Sequence, residues 1–245
     1  MELNIFDTVD EQIAALADYV IATASTAIAD HGRFDFVLSG GGSPKRLYEL
    51  LTSEKYKKRI DWSKTYFFFG DERFVPAGDD KRNSLMAKKS LFDHINVKEN
   101  QVFKVDTSGT PEEAADKYQA AITAHFGQKP VQFDLILLGL GDDAHTASLF
   151  PGTTILNEKK AGIKSVYLED KKVHRISMTY PLINQAKEIA FLAFGENKSD
   201  AAHQVLKGEK NTKKYPAQLI KAENGKMEWF LDKAAASRLK GSKKK

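Results

Sequence analysis

The chain has 245 residues, 42% hydrophobic and 29% charged, which is enough for a substantial core and ordinary for a soluble globular protein. It has no cysteine, which excludes disulfides, thiolate metal sites and a thiol nucleophile. The formal net charge of +4 matches four tail lysines, Lys240, Lys243, Lys244 and Lys245; without them 33 basic residues face 33 acidic ones, and a solvated terminus accounts for the excess.

The N-terminal "MELNIFDTVDEQ" has no apolar h-region, and no apolar stretch approaches the roughly 18 residues of a membrane span. Neither a signal peptide nor a membrane segment is expected, and a cytoplasmic location is the default. Asp10 is placed to cap a helix carrying Ile13, Leu16, Ala17, Val20, Ala24, Ala27 and Ile28 at spacings of three and four. "RFDFVLSGGG" reads as a strand running into glycines. A helix follows with Pro44 in its first turn and Leu47, Leu50 and Leu51 as its apolar stripe. "TYFFFGDERF" reads as a second strand and "SLMAKKSLF" as a helix, and Pro111 opens another helix through about Phe126. "FDLILLGLG" is the third core strand, an unbroken apolar run of the kind covered on both faces. "SVYLED", "HRISMTY" and "EIAFLAFG" follow as strands, then a helix from about Asn197 to Leu206. "MEWFLD" and "KAAASRLK" close the chain as a strand and a helix.

This alternation predicts an α/β fold, an open and mostly parallel Rossmann-like sheet with helices on both faces. No repeat or linker divides it. Residues 1–239 are expected to form one domain, with room for a smaller subregion around 155–180, and residues 240–245 form a basic tail.

In an open α/β sheet the ligand lies beyond the C-terminal ends of the strands. Four loops stand there: "LSGGGSP", "FGDERF", "LGLGDDAHT" and "AFGENKS". In the first, Ser39, Gly40, Gly41, Gly42 and Ser43 precede a helix, and such a turn suits an anion because glycines admit close approach to helix N–H groups. It matches neither the Walker pattern nor G-x-G-x-x-G, which favours a small phosphate ester over a nucleotide. A plain tight turn would need the same glycines. Arg73, Arg175 and Lys198 are candidate cations for phosphate or an oxyanion, and surface ion pairing would account for each of them alone.

His145 is the candidate acid/base, since an imidazole titrates near neutrality, and Asp143 is placed to orient it. Asp142, Asp143 and His145 as metal ligands would need a distant fourth group, and none is evident. Asp142 or Asp143 would also cap a short helix, "HTASLF". Ser39 and Ser148 lack the G-x-S-x-G elbow, so water activated by His145 is the simpler nucleophile. His31, His94, His125, His174 and His203 read mostly as surface residues, with His174 kept in view beside Arg175.

Taken together, "LSGGGSPKRLYELL", "FFFGDERFVPAGDDKRNS", "FDLILLGLGDDAHTASLFPG", "HRISMT", "FLAFGENKSDA" and "WFLDKAAASRL" resemble the 6-phosphogluconolactonases, in the wider family that includes glucosamine-6-phosphate isomerase/deaminase. The resemblance covers residues from about 35 to 239. One departure stands out: Asp142-Asp143-Ala144 occupies the place of the family's Pro-Asp-Gly, which questions the local backbone at Ala144. The resemblance implies hydrolysis of 6-phospho-D-glucono-1,5-lactone, in the oxidative pentose phosphate pathway, with no metal or organic cofactor. It implies that Ser39, Gly40, Gly41, Gly42, Ser43, Arg175 and Lys198 bind substrate and phosphate. Arg73 would stand near the sugar-acid end or the phosphate, and His145, supported by Asp143, would be the general base. The expected partner is the lactone alone, with no nucleic acid or membrane, for a monomer or small homo-oligomer. An isomerase/deaminase is the alternative, but that group carries Asn-Glu-Pro where this chain has Leu149-Phe150-Pro151. A non-catalytic sugar-phosphate sensor is the other, and it would not need His145 or Asp143.

Overall fold

The computed structural model describes residues 1–239, so the expected tail at 240–245 lies outside the described residues. Its first half runs β1 (Glu2–Phe6), α1 (Val9–His31), β2 (Phe34–Leu38), α2 (Gly42–Leu51), β3 (Thr65–Phe69), β4 (Asp71–Arg73), α3 (Asn83–Ser90) and α4 (Pro111–Phe126). The second half runs β5 (Leu135–Gly139), β6 (Ile163–Leu168), β7 (Val173–Met178), α5 (Tyr180–Asn184), β8 (Glu188–Ala193), α6 (Ser199–Leu206) and β9 (Lys226–Asp232). The main sheet has six parallel strands in the order β1-β9-β8-β5-β2-β3, which is the expected α/β architecture. A second, antiparallel sheet has the order β4-β7-β6.

Alternation along the strands divides the core in two. Val37, Phe68, Ile136 and Leu138 face one layer, while Phe36, Phe67, Phe69, Leu135 and Leu137 face the other with α1 and α2. Both faces being covered explains the continuous apolar runs.

Four local expectations are corrected, and one strand was not foreseen. The cap of α1 is Thr8, in a reciprocal box with Glu11, whereas Asp10 sits in the first turn and pairs with Arg46. By length and composition α1 is apolar enough to cross a membrane, with mean hydropathy 1.3, because its polar residues are few and its alanines many. Here it packs on the sheet, and the buried Gln12 amide donates to the carbonyls of Ala193 and Phe230. "TYFFFGDERF" is two strands, because the chain leaves the parallel sheet at Gly70 and β4 joins β7. "KAAASRLK" is a turn, opened by the Asp232 carboxylate accepting the Ala235 N–H, that ends in a short 3-10 segment, Ser237–Leu239. β1 carried no signal strong enough to be read as a strand.

Candidate active site

The chain order reverses between β2 and β5, so their C-terminal loops diverge and leave a crevice. A cavity of about 250 Å³ fills it. Ser39, Gly40, Gly41, Gly42, Ser43, Arg73, His145, Arg175 and Lys198 all line this cavity, and Asp143 holds His145 from behind. Residues spread over 160 positions of sequence therefore meet because β2, β5 and β8 end on one edge and β4 and β7 bring the two arginines to it.

The glycine loop is fixed from below. Tyr48, buried on α2, donates its hydroxyl to the Ser39 carbonyl at 2.8 Å and accepts the Ser39 N–H at 3.0 Å. Gly41, at φ +104, is the N-cap of α2 and supplies no side-chain cap, so the first-turn N–H groups remain for an anion. Gly40 is required for a different reason: a Cβ there would lie 1.8 Å from Asn83 Oδ1.

The cationic wall comes from the small sheet. Antiparallel pairing of β4 with β7 sets Arg73 directly opposite Arg175. Like charges so placed repel, and an anion between them would relieve that repulsion. Arg73 Nη1 donates to the Lys81 carbonyl at 2.7 Å and to Asn83 Oδ1 at 2.5 Å. Asn83 Nδ2 donates in turn to the Asp71 carbonyl at 2.8 Å. Asp71 Oδ2 accepts the Ser148 hydroxyl at 2.6 Å and lies 3.8 Å from Arg175 Nη1. Burial lowers the Arg175 guanidinium below its ordinary pKa; Asp71 opposes that shift and Arg73 adds to it. Glu72 points away, fully buried, and accepts the N–H groups of Asn83 and Ser84 at 2.7 and 2.9 Å, fastening α3 behind the wall.

The loop after β5 delivers the histidine. Gly141 N–H donates to the His145 carbonyl at 2.8 Å, and Thr146 Oγ1 donates to the Gly139 carbonyl at 2.8 Å. A Cβ on Gly141 would lie 2.0 Å from His145 Nδ1, so only glycine fits. His145 Nδ1 and Asp143 Oδ1 are 2.5 Å apart, which places the imidazole proton on Nδ1 and turns Nε2 into the basic nitrogen. The ring stacks on Phe150 with centroids 3.8 Å apart. Burial would raise the Asp143 carboxyl, but the His145 hydrogen bond and charge outweigh it and bring the pKa down to about 2. Ala144 adopts φ +61 and Ala147 φ +48, in the left-handed region. The alanine that replaces the family's glycine is therefore held in a glycine-like conformation.

These left-handed residues also explain why "HTASLF" forms no helix, so neither Asp142 nor Asp143 is a helix cap. Asp142 instead accepts from Lys198 Nζ at 2.5 Å and Asn197 Nδ2 at 3.1 Å. It turns away from the His145–Asp143 pair, and among the described residues no three His, Asp or Glu side chains gather as a metal group. His174 packs against Tyr167 at 4.8 Å and does not line the cavity. His125 and His31 are not plain surface residues: His125 pairs with Asp35 at 2.7 Å with its side chain 7% exposed, and His31 pairs with Asp134 at 2.8 Å. Sequence reasoning missed Asp71, Asn83 and Phe150 as wall residues. Asp71 stood in the "GDERF" loop already singled out, whereas Asn83 reaches Arg73 only through the tertiary fold.

Comparison with known proteins places this site in context. Residues 7–229 match the family model described as glucosamine-6-phosphate isomerases/6-phosphogluconolactonase. A 6-phosphogluconolactonase of Nostoc sp. is 37% identical over 231 residues, covering 93% of both chains. A 6-phosphogluconolactonase of Haemophilus influenzae is 37% identical over 198 residues, covering 81% of this chain and 84% of the relative. The structure of 6-phosphogluconolactonase from Trypanosoma cruzi superposes with a TM-score of 0.85 at 27% identity, covering 98% and 97% of the two chains. The chain belongs to the glucosamine-6-phosphate isomerase/6-phosphogluconolactonase family. Within it, the named relatives are lactone hydrolases.

Proposed function

We propose that this chain hydrolyses 6-phospho-D-glucono-1,5-lactone to 6-phosphogluconate, with His145 as the general base. The single observation that carries the mechanism is the His145–Asp143 pair in the same 250 Å³ cavity as two opposed arginines and an uncapped helix N-terminus. His145 Nε2 takes a proton from water, and the hydroxide adds to the lactone carbonyl carbon. Arginine or backbone N–H groups stabilise the resulting oxyanion. Its collapse breaks the bond to the ring oxygen, and the imidazolium returns its proton to that oxygen. Asp143 keeps the imidazole in the required tautomer throughout.

Phosphate contacts from the glycine loop, Arg175 and Lys198 hold a non-reacting end of the substrate, so their binding energy serves orientation. The proposal carries a cytoplasmic, metal-independent enzyme acting as a monomer or small homo-oligomer without nucleic-acid or membrane partners. Sequence relatives that are 6-phosphogluconolactonases support the substrate. The test is a continuous assay on freshly generated lactone, corrected for spontaneous hydrolysis, with and without a chelator. Acceleration insensitive to the chelator is expected; no acceleration, with 6-phosphogluconate still bound, would identify a sensor instead.

A further inference from the structure

Arg73 and Arg175 form a partition with a cavity on each side. Behind them, away from the glycine loop, lies a second cavity of about 490 Å³, completed by Val75, Lys81, Lys171, Lys172 and Val173. Five of its seven lining residues are cationic and none is acidic. That is a sharp local excess in a chain whose body carries as many acids as bases.

The surroundings do not neutralise it. Asp170 pairs with Lys171 at 2.9 Å, and Asp79 accepts only the backbone N–H of Lys81. Asp71 meets Arg175 at 3.8 Å from the active-site side. Among the described residues the ammonium groups of Lys81 and Lys172 have no carboxylate within ion-pair distance. The Nε–H groups of Arg73 and Arg175 are buried without a hydrogen-bond partner, and both guanidinium-bearing residues border the cavity. Lys172 stands at the β6–β7 hairpin tip with φ +48, a conformation a lysine takes at a cost. Two guanidinium groups beside two unpaired ammonium groups supply the charge and the donors that an anion needs.

We propose that this cavity is a second anion site, taking a phosphate-class oxyanion of two or more charges. Its occupant draws on the outer edges of Arg73 and Arg175, so it weakens anion binding on the substrate side. The inference does not depend on the reaction assigned above, because binding is read directly.

The test is calorimetric titration of the full chain with inorganic pyrophosphate at low salt, for wild type and for Lys81→Gln/Lys172→Asn, in which asparagine tolerates the left-handed backbone. Losing two cation contacts should weaken pyrophosphate about tenfold or more. Binding of 6-phosphogluconate, read in the same way, should change less than about threefold, since neither lysine lines the substrate cavity. Lys81→Glu, at an exposed side chain, repeats the pyrophosphate test without touching the hairpin. No pyrophosphate binding by wild type, or equal affinity in wild type and variants, would overturn the proposal; the latter would place pyrophosphate in the substrate cavity.

Discussion

At the C-terminal end of the parallel strands His145 pairs with Asp143 at 2.5 Å; at the N-terminal end His125 pairs with Asp35 at 2.7 Å and His31 with Asp134 at 2.8 Å. The same two residue types make all three pairs, yet their surroundings differ. At the N-terminal end every carboxylate is shared. Asp35 also accepts from Arg33 at 2.9 Å, while Asp134 accepts from Lys187 at 3.0 Å and from the Asp35 N–H at 2.8 Å. His125 is enclosed by the rings of Tyr66, Phe68, Phe103 and Phe126. At the other end the imidazole gives one nitrogen to Asp143 and lines a cavity walled by cations. Under the proposed mechanism, a histidine–carboxylate contact serves acid/base chemistry where one nitrogen is left for substrate. Elsewhere it fastens the fold.

Exchanging the two histidines for alanine tests that contrast most severely. His145→Ala should lower kcat by about 10²–10⁴-fold, with little change in 6-phosphogluconate affinity. His125→Ala should leave kcat near wild type but lose about 3 kcal/mol of stability, because it removes a ring packed among four aromatics together with its hydrogen bond to Asp35. Thermal melts should then fall by about 6–12 °C. A kcat loss in His125→Ala matching that of His145→Ala would break the comparison. Among the cations, Arg175→Ala and Lys198→Ala should raise KM by about 10–100-fold, each removing a charged hydrogen bond proposed to hold the phosphate. Unchanged KM in both would take them out of the phosphate site. A smaller effect should follow Ala144→Gly, which relieves the left-handed backbone beside His145 and stabilises by about 0.5–1 kcal/mol. A lower melting temperature for that variant would show the loop unstrained.

The smallest expected effect concerns pH. Burial, with help from Glu2 and Glu188, raises the pKa of Glu228 in the fold, so its ionised form destabilises the protein. Glu228→Gln should raise the melting temperature at pH 7 by less than about 4 °C, and the gain should vanish below about pH 4. Asp143 has the opposite sign. Its folded pKa of about 2 lies below the unfolded value, so its contribution is present from about pH 4 upward and is lost as pH falls through 2. Stability scans of Asp143→Asn against wild type should therefore converge only at the acid extreme.

The parallel sheet was legible because β2, β5 and β8 are buried on both faces and their side chains say so directly. The glycine loop, Arg73, His145 and Lys198 were legible for a related reason: strand ends mark one edge of the sheet. Less visible was anything decided by backbone geometry between distant segments. That β4 leaves the parallel sheet at Gly70 depends on β7, which lies about a hundred residues later in the chain. Asn83 bonds Arg73 only because α3 folds back behind β4. The turn at Ala144 was hidden because alanine advertises helix, not a left-handed residue.

Asp142 gives the site one further property. Its ion pair with Lys198 occupies the ammonium before any ligand arrives. For the proposed substrate, the measured affinity is then a difference: the new contact less the one surrendered. A tethered carboxylate acts as a permanent internal competitor, always at high effective concentration. Because the Asp142 carboxylate is largely exposed, that competition costs a ligand at most about 1 kcal/mol.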